Sequence, residues 1–243
     1  MTSRRVSWPL PLRHLAPVAL AVALPAAAAR AESPRTMMLE LHGGSYAPDV
    51  DAEFDGGATP WKDAFGSGSM TLLRMHLDYE LWQDFGTLAV GAGFGYGWID
   101  GTARNAEGDK TDDQIGFNLM PLQVSLVYRW DWAAVEHGIP LVPYGKVGID
   151  GALWWATDAK DNISNTGDGE GRGFTLGWHA SAGLMFLLDV FSESMAVGFD
   201  SESGVNNSFI FVEYQHTSLD DFGASDSMVL SDDALSFGLA FEF

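Results

Sequence analysis

Leu235-Ser236-Phe237-Gly238-Leu239-Ala240-Phe241-Glu242-Phe243 decides the fold. Its odd positions are all Leu or Phe, and its even positions are Ser, Gly, Ala and Glu. Successive side chains of a strand point to opposite faces, so this period of two makes one face wholly apolar and the other small or polar.

The same alternation recurs upstream. Leu73, Met75, Leu77, Tyr79 and Leu81 oppose Arg74, His76, Asp78 and Glu80. After Gln83-Asp84-Phe85-Gly86, the residues Leu88, Val90, Ala92, Phe94, Tyr96 and Trp98 oppose Ala89, Gly91, Gly93, Gly95 and Gly97. A soluble strand with five small residues toward its core would pack poorly. Glycine on that face instead permits close approach inside a narrow barrel, with the bulky face turned to lipid. Further strands follow: Met37, Leu39 and Leu41 against Met38, Glu40 and His42; Val147, Ile149, Leu153 and Trp155 against Lys146, Asp150 and Trp154. Phe174, Leu176, Trp178, Ala180, Ala182, Leu184 and Phe186 oppose Thr175, His179, Ser181 and Gly183, and Ile210, Val212 and Tyr214 oppose Phe209, Phe211, Glu213 and Gln215. Ile115, Phe117 and Leu119 lead into Leu122, Val124, Leu126 and Tyr128, and the phase slip at Met120-Pro121 predicts a bulge or bend.

These segments predict an all-β fold, an eight-stranded antiparallel up-and-down transmembrane β-barrel. The polar connections Tyr46–Ser69, Asp100–Asp113, Thr157–Arg172 and Ser218–Asp233 alternate with a tight second connection and with Asp131–Leu141 and Asp189–Val205, where short helical turns fit. That alternation puts both termini on the inner side. Ten strands stay open if Tyr46–Ser69 hides a hairpin.

Residues 1–31 read as a secretory signal peptide: Arg4 and Arg5, an apolar stretch from about Leu15, and the small-x-small site Ala29-Arg30-Ala31. Residues 32–243 then form the barrel domain. The signal holds four of the 13 Lys and Arg and none of the 33 Asp and Glu, leaving nine against 33 and a formal charge of −24. Such a charge excludes a nucleic-acid footprint. The absence of cysteine excludes disulfides and thiolate metal sites. No mature segment approaches 18 consecutive apolar residues, so spanning helices are not expected. Yet the 28 Gly, 15 Phe, nine Trp and six Tyr suit a membrane barrel.

The closing strand, with Leu239, Phe241 and Phe243 at alternate positions, resembles the assembly signal of outer-membrane barrels. That resemblance implies recognition by the barrel assembly machinery. A narrower resemblance rests on Tyr46-Ala47-Pro48-Asp49-Val50-Asp51, Leu122-Gln123-Val124-Ser125-Leu126-Val127-Tyr128-Arg129 and Pro140-Leu141-Val142-Pro143-Tyr144-Gly145-Lys146. With Gly171-Arg172-Gly173, Leu176-Gly177-Trp178-His179, Ser203-Gly204-Val205-Asn206 and Phe241-Glu242-Phe243, these are similar to a myxobacterial-type family of outer-membrane β-barrel proteins. It implies an outer-membrane location in a Gram-negative bacterium after signal-directed export, and no assigned activity.

An eight-stranded barrel is just wide enough to be filled by side chains. The inward candidates Arg74, His76, Asp78, Glu80, Lys146, Asp150, His179, Glu213 and Gln215 are therefore expected to pair with one another in a polar network, since unpaired buried charge is costly. A narrow ion path is the alternative. Asp49, Asp51, Glu53 and Asp55, followed by Gly56, begin like a calcium loop, but Lys62 stands where a bidentate Glu belongs. A solvated loop is expected, with these carboxylates the only candidate metal ligands. His216-Thr217-Ser218 has the His-x-Ser spacing of lipid A 3-O-deacylases, so His216 and Ser218 are the candidate catalytic pair. By the alternation His216 faces lipid, where an interfacial aromatic-belt role is the plainer reading, and no Glu follows at a suitable spacing, although Asp220 and Asp221 are near. The chain is expected to be a monomeric, non-catalytic surface protein with acidic outer loops in contact with outer-membrane lipid and lipopolysaccharide, and without a cofactor. A lipid A-modifying hydrolase and a narrow channel are the alternatives.

Overall fold

The computed structural model describes residues 35–54, 57–66, 68–105, 108–160, 162–166, 169–191, 203–224 and 227–243. The signal peptide expected at 1–31 and Asp55 lie outside these residues. Eight long strands form one closed antiparallel ring. They are β1 Met37–Tyr46, β2 Met70–Asp84, β3 Gly86–Arg104, β4 Lys110–Arg129, β5 Leu141–Thr157, β6 Arg172–Leu187, β7 Asn207–Leu219 and β8 Asp232–Glu242. Neighbours in sequence are neighbours in space, and β8 pairs β1 from Met38 opposite Glu242 to Gly44 opposite Ser236. The seam is tightened where Thr36 donates to the Phe243 carbonyl at 2.7 Å and Phe243 donates to the Met37 carbonyl at 2.8 Å.

Closure removes the open strand edges that invite aggregation. The first long connection holds a 3-10 turn at Val50–Glu53 and a short helix, α1 Pro60–Phe65. No strand occurs in it among the described residues, so the ring has eight strands and not ten. A second short helix, α2 Trp132–His137, links β4 to β5, and a 3-10 turn at Asp189–Phe191 follows β6. The tight connection from β2 to β3 turns on Gly86, whose φ of +124° a side chain would strain. β3 and β4 run past the rim, to Arg104 and from Lys110, and so extend into the connection that sequence marks as a loop from Asp100 to Asp113.

No bulge shifts the register at Met120-Pro121, where a bulge or bend is expected: the ladder to β3 skips these two residues and resumes in the same register. Pairing of β4 with β5 is unbroken from Gly116 opposite Thr157 to Arg129 opposite Tyr144. Phe117 and Leu119 keep the inward parity of Gln123 and Ser125 and are buried in the lumen. They point inward because the barrel is capped there by an apolar layer: Tyr46, Trp61, Met70, Leu72, Leu219 and Leu230 pack with them.

The glycine row of β3 does a defined job. A Cβ on Gly95 would stand 2.7 Å from Arg74 Cγ, and one on Gly91 would meet the Asp78 carboxylate. Side chains of β2 therefore lie across bare backbone of β3, and long charged residues fit a lumen too narrow for two facing layers of bulky groups.

The outer wall is apolar along its length: Leu73, Leu77, Phe94, Val124, Leu126, Val147, Ile149, Ile210 and Leu239 are all exposed. Aromatic rings collect at both ends of the wall. Tyr96 stacks on Trp98 at 5.6 Å and lies 6.2 Å from Trp155 at the end away from the seam hydrogen bonds. Phe85 lies 6.2 Å from Trp130 and 5.5 Å from Trp132 at the other. Among the described residues, no helix is long and apolar enough to cross a membrane.

Candidate functional site

The lumen is layered. An apolar cluster around Trp61, Phe117 and Leu119 closes one end, and Met38, Val142, Tyr144, Met185, Phe209 and Phe211 close the other. Between them lies a charged layer. Every inward candidate named from sequence is there: Arg74, His76, Asp78, Glu80, Lys146, Asp150, His179, Glu213 and Gln215 are all buried.

The layer is organised around three cations. Arg129, on β4, donates from Nη1 to Asp78 Oδ2 at 3.1 Å and from Nη2 to Glu80. Lys146, on β5, bonds Glu40 and lies 3.3 Å from Glu213 Oε2. Arg74, on β2, donates to Gln215, to Gln123 at 3.4 Å and to Ser236 at 3.3 Å, and lies 3.6 Å from Glu213. These contacts join β1, β2, β4, β5, β7 and β8 across the lumen. Burying an ion costs several kcal/mol unless partners and hydrogen bonds compensate, so the pairing is a condition of the barrel being filled by such residues.

Glu40 and His42, on the inner face of β1 by the alternation, and Arg129 also belong to this layer. Arg129 shares the parity of Ser125 and Val127, which is the signal that places it inside. Two cavities in the lumen are small: about 20 Å³ beside Arg74 and Gln215, and about 70 Å³ between Arg129 and Glu242. Spaces of this size hold isolated waters.

One buried group has the order of a catalytic triad. Ser125 Oγ lies 3.0 Å from His179 Nε2, His179 Nδ1 bonds Asp150, and Gln123 donates to the other Asp150 oxygen at 3.1 Å. Acyl transfer needs a reacting carbonyl about 3 Å from the nucleophile. Ser125 is 2% exposed. The chain of contacts satisfies buried polar groups in the lumen wall.

The weak catalytic candidates sit on the other side of that wall. His216 is exposed on the outer face of β7, 5.3 Å from the Trp178 ring. Its Nδ1 lies 2.8 Å from Asp233 Oδ1, and Tyr214 donates to the same oxygen at 2.9 Å. Asp233 is the cross-strand partner of His216 on β8. A search for an acid following Ser218 along the chain cannot find it, because only the strand register brings it there. Ser218 shares the outward face of His216, opposite Trp178 on β6.

The calcium-like run is spent on structure. Asp51 accepts the Trp61 amide at 2.7 Å and the Lys62 amide at 3.2 Å, and Glu53 accepts the Val229 amide. Its carboxylates fasten α1 and the connection before β8. Asp49 and Asp51 border an open cleft of about 400 Å³ that also takes in His216, Asp232 and Asp233.

No protein-family model matches this chain, and no curated protein matches it. Among solved structures, it is similar to the outer membrane protein OprG from Pseudomonas aeruginosa, at 12% identity over 87% of this chain and 97% of that one, with a TM-score of 0.46. It is also similar to Ail, the attachment invasion locus protein of Yersinia pestis, crystallised with the heparin analogue sucrose octasulfate. That match has 12% identity over 88% of this chain and 100% of the other, with a TM-score of 0.43. The outer membrane enzyme PagL matches at 16% identity over 85% of this chain and 98% of that one, with a TM-score of 0.37. These likenesses concern the fold alone.

Proposed function

We propose that this chain is an outer-membrane β-barrel of structural or surface-interaction type. A filled lumen makes it a non-conducting anchor that holds acidic connections outside the cell. One observation carries the reading: the barrel is turned inside out relative to a soluble one. Its outer wall is apolar from rim to rim with aromatic rings at both ends, while Arg74, Arg129, Lys146 and their acids are sealed within. A soluble lipocalin-type barrel buries the apolar face and solvates the polar one. Lipid is the medium that suits this arrangement, and aromatic belts suit its two interfaces. The resemblance to the myxobacterial-type barrel family agrees with it, as does the excess of Asp and Glu in the mature chain. Lipid and lipopolysaccharide are the contacts such a monomer would make, with the barrel assembly machinery delivering it.

Cell fractionation with gel mobility before and after boiling tests the location. Recovery in the outer-membrane fraction with a heat-dependent shift is expected, and a soluble periplasmic protein without one would refute it. Planar-bilayer recordings test the filled lumen: single-channel steps from the purified barrel would rule out a non-conducting anchor.

A second reading is favoured by the 2.8 Å contact of His216 with Asp233. An acid on Nδ1 orients an imidazole whose other nitrogen can serve a hydroxyl, and Ser218 lies two residues on along the same face. In this reading the outer face hydrolyses acyl esters of lipid A. Lipid A from cells expressing the wild type is then deacylated, and Ser218→Ala restores full acylation. Identical lipid A in both strains would remove the reading.

A further inference from the structure

Glu40, His42 and Glu213 are buried together, and each offers one ligand atom within 4.8 Å of the others. Glu40 and His42 share the inner face of β1, and Glu213 comes from β7, on the far side of β8. His42 Nε2 lies 2.9 Å from Glu40 Oε2, while Nδ1 is 3.7 Å from Glu213 Oε1. Three atoms of this group have no hydrogen-bond partner: Glu40 Oε1, His42 Nδ1 and Glu213 Oε2. The last of them meets the Lys146 charge at 3.3 Å without a hydrogen bond. Buried polar atoms are nearly always paired, so three such atoms within one cluster call for an explanation.

The charge of the lumen points the same way. Lys146 and Arg74 offset Glu40 and Glu213 locally. Within this layer, however, five buried carboxylates, Glu40, Asp78, Glu80, Asp150 and Glu213, face three fixed cations, Arg74, Arg129 and Lys146. A dication in this layer reduces that excess.

We propose that Glu40, His42 and Glu213 bind a divalent transition-metal ion of the zinc class in the lumen. One imidazole nitrogen with carboxylate oxygens suits zinc and its neighbours, whereas calcium and magnesium take oxygen alone. The ion ties β1 to β7 across the strand that closes the barrel. The apolar layers on either side mean that it enters while the barrel is forming.

Folding the full chain in detergent with ZnCl₂, dialysing against a chelator and counting zinc by elemental analysis tests the site. One retained zinc per folded chain is expected, with the folded band more heat-resistant than after metal-free folding. Chains folded with CoCl₂ should show the visible bands of low-coordinate, nitrogen-ligated cobalt. His42→Gln and Glu213→Gln should each weaken binding by about tenfold or more. The boiling-dependent gel shift reports folding separately, so metal is counted only on folded protein. Folded wild type without zinc, or without the cobalt bands, overturns the proposal even if neither variant folds. Equal zinc in wild type and folded variants overturns it too, by placing the ion on the acidic connections. The count does not depend on where the barrel resides in the cell.

Discussion

His76 occupies the space that a side chain at position 93 would need: a Cβ on Gly93 would stand 2.6 Å from His76 Nε2. The two residues face each other across β2 and β3. Gly93→Ala must therefore displace the imidazole, which lies 3.3 Å from Asp78. Overpacking of this kind costs about 1–3 kcal/mol. The expected loss appears in urea unfolding of the folded barrel, while Ala92→Gly on the outer face of the same strand changes much less. Equal effects at the two positions would contradict the close approach.

Arg129 carries a heavier cost. It is 1% exposed and serves both Asp78 and Glu80. Arg129→Met leaves two buried acids short of a partner, and breaking such a pair typically costs about 3–5 kcal/mol. Adding Asp78→Asn should recover part of that loss, because one uncompensated charge goes with it. The unfolding midpoints of single and double variants check this, and strict additivity would mean that the residues are not coupled.

Leu119 and Leu122 distinguish the two faces of β4. Leu119 is fully buried in the apolar cap, and Leu122 is on the outer wall. Leu119→Ala opens a cavity and should cost about 2–5 kcal/mol. Leu122→Ala faces a medium that fills the gap and should cost less. If a bulge at Met120-Pro121 turned Leu119 to the same outer face as Leu122, the two costs would be alike.

Val124 tests the medium itself. It is 60% exposed on the outer wall, well away from both rims. Val124→Arg should destabilise the barrel by about 2–4 kcal/mol in a lipid bilayer, the range seen for cationic residues near the midplane of barrel proteins. Unfolding in vesicles gives the measurement; an unchanged midpoint would count against a lipid-facing wall.

Much of the fold is legible in the sequence because alternation survives wherever the two faces meet different media. The runs from Leu73 and from Leu88 are plain for that reason. Phe117 and Leu119 mislead because the lumen is not uniformly polar: near its cap, apolar residues take inward positions and the contrast between faces disappears. The parity of Gln123 and Ser125, carried back through Pro121, places them correctly. Arg129 is legible by the same parity and lies one step beyond the alternating run. Asp233 beside His216 is not legible at all, since it depends on the register of β7 against β8, which no local pattern encodes.

The seam between β1 and β8 has a consequence for how the molecule comes into being. Met38 and Glu242 stand at opposite ends of the described chain, yet they are partners in the wall. Contacts so distant in sequence are slow to form, because the entropy of closing the loop is lost before they repay it. Until they form, every intermediate is an open sheet with two raw margins and a lipid-seeking face. Such a form shows water an apolar wall and unpaired strand edges together, the two features that invite aggregation.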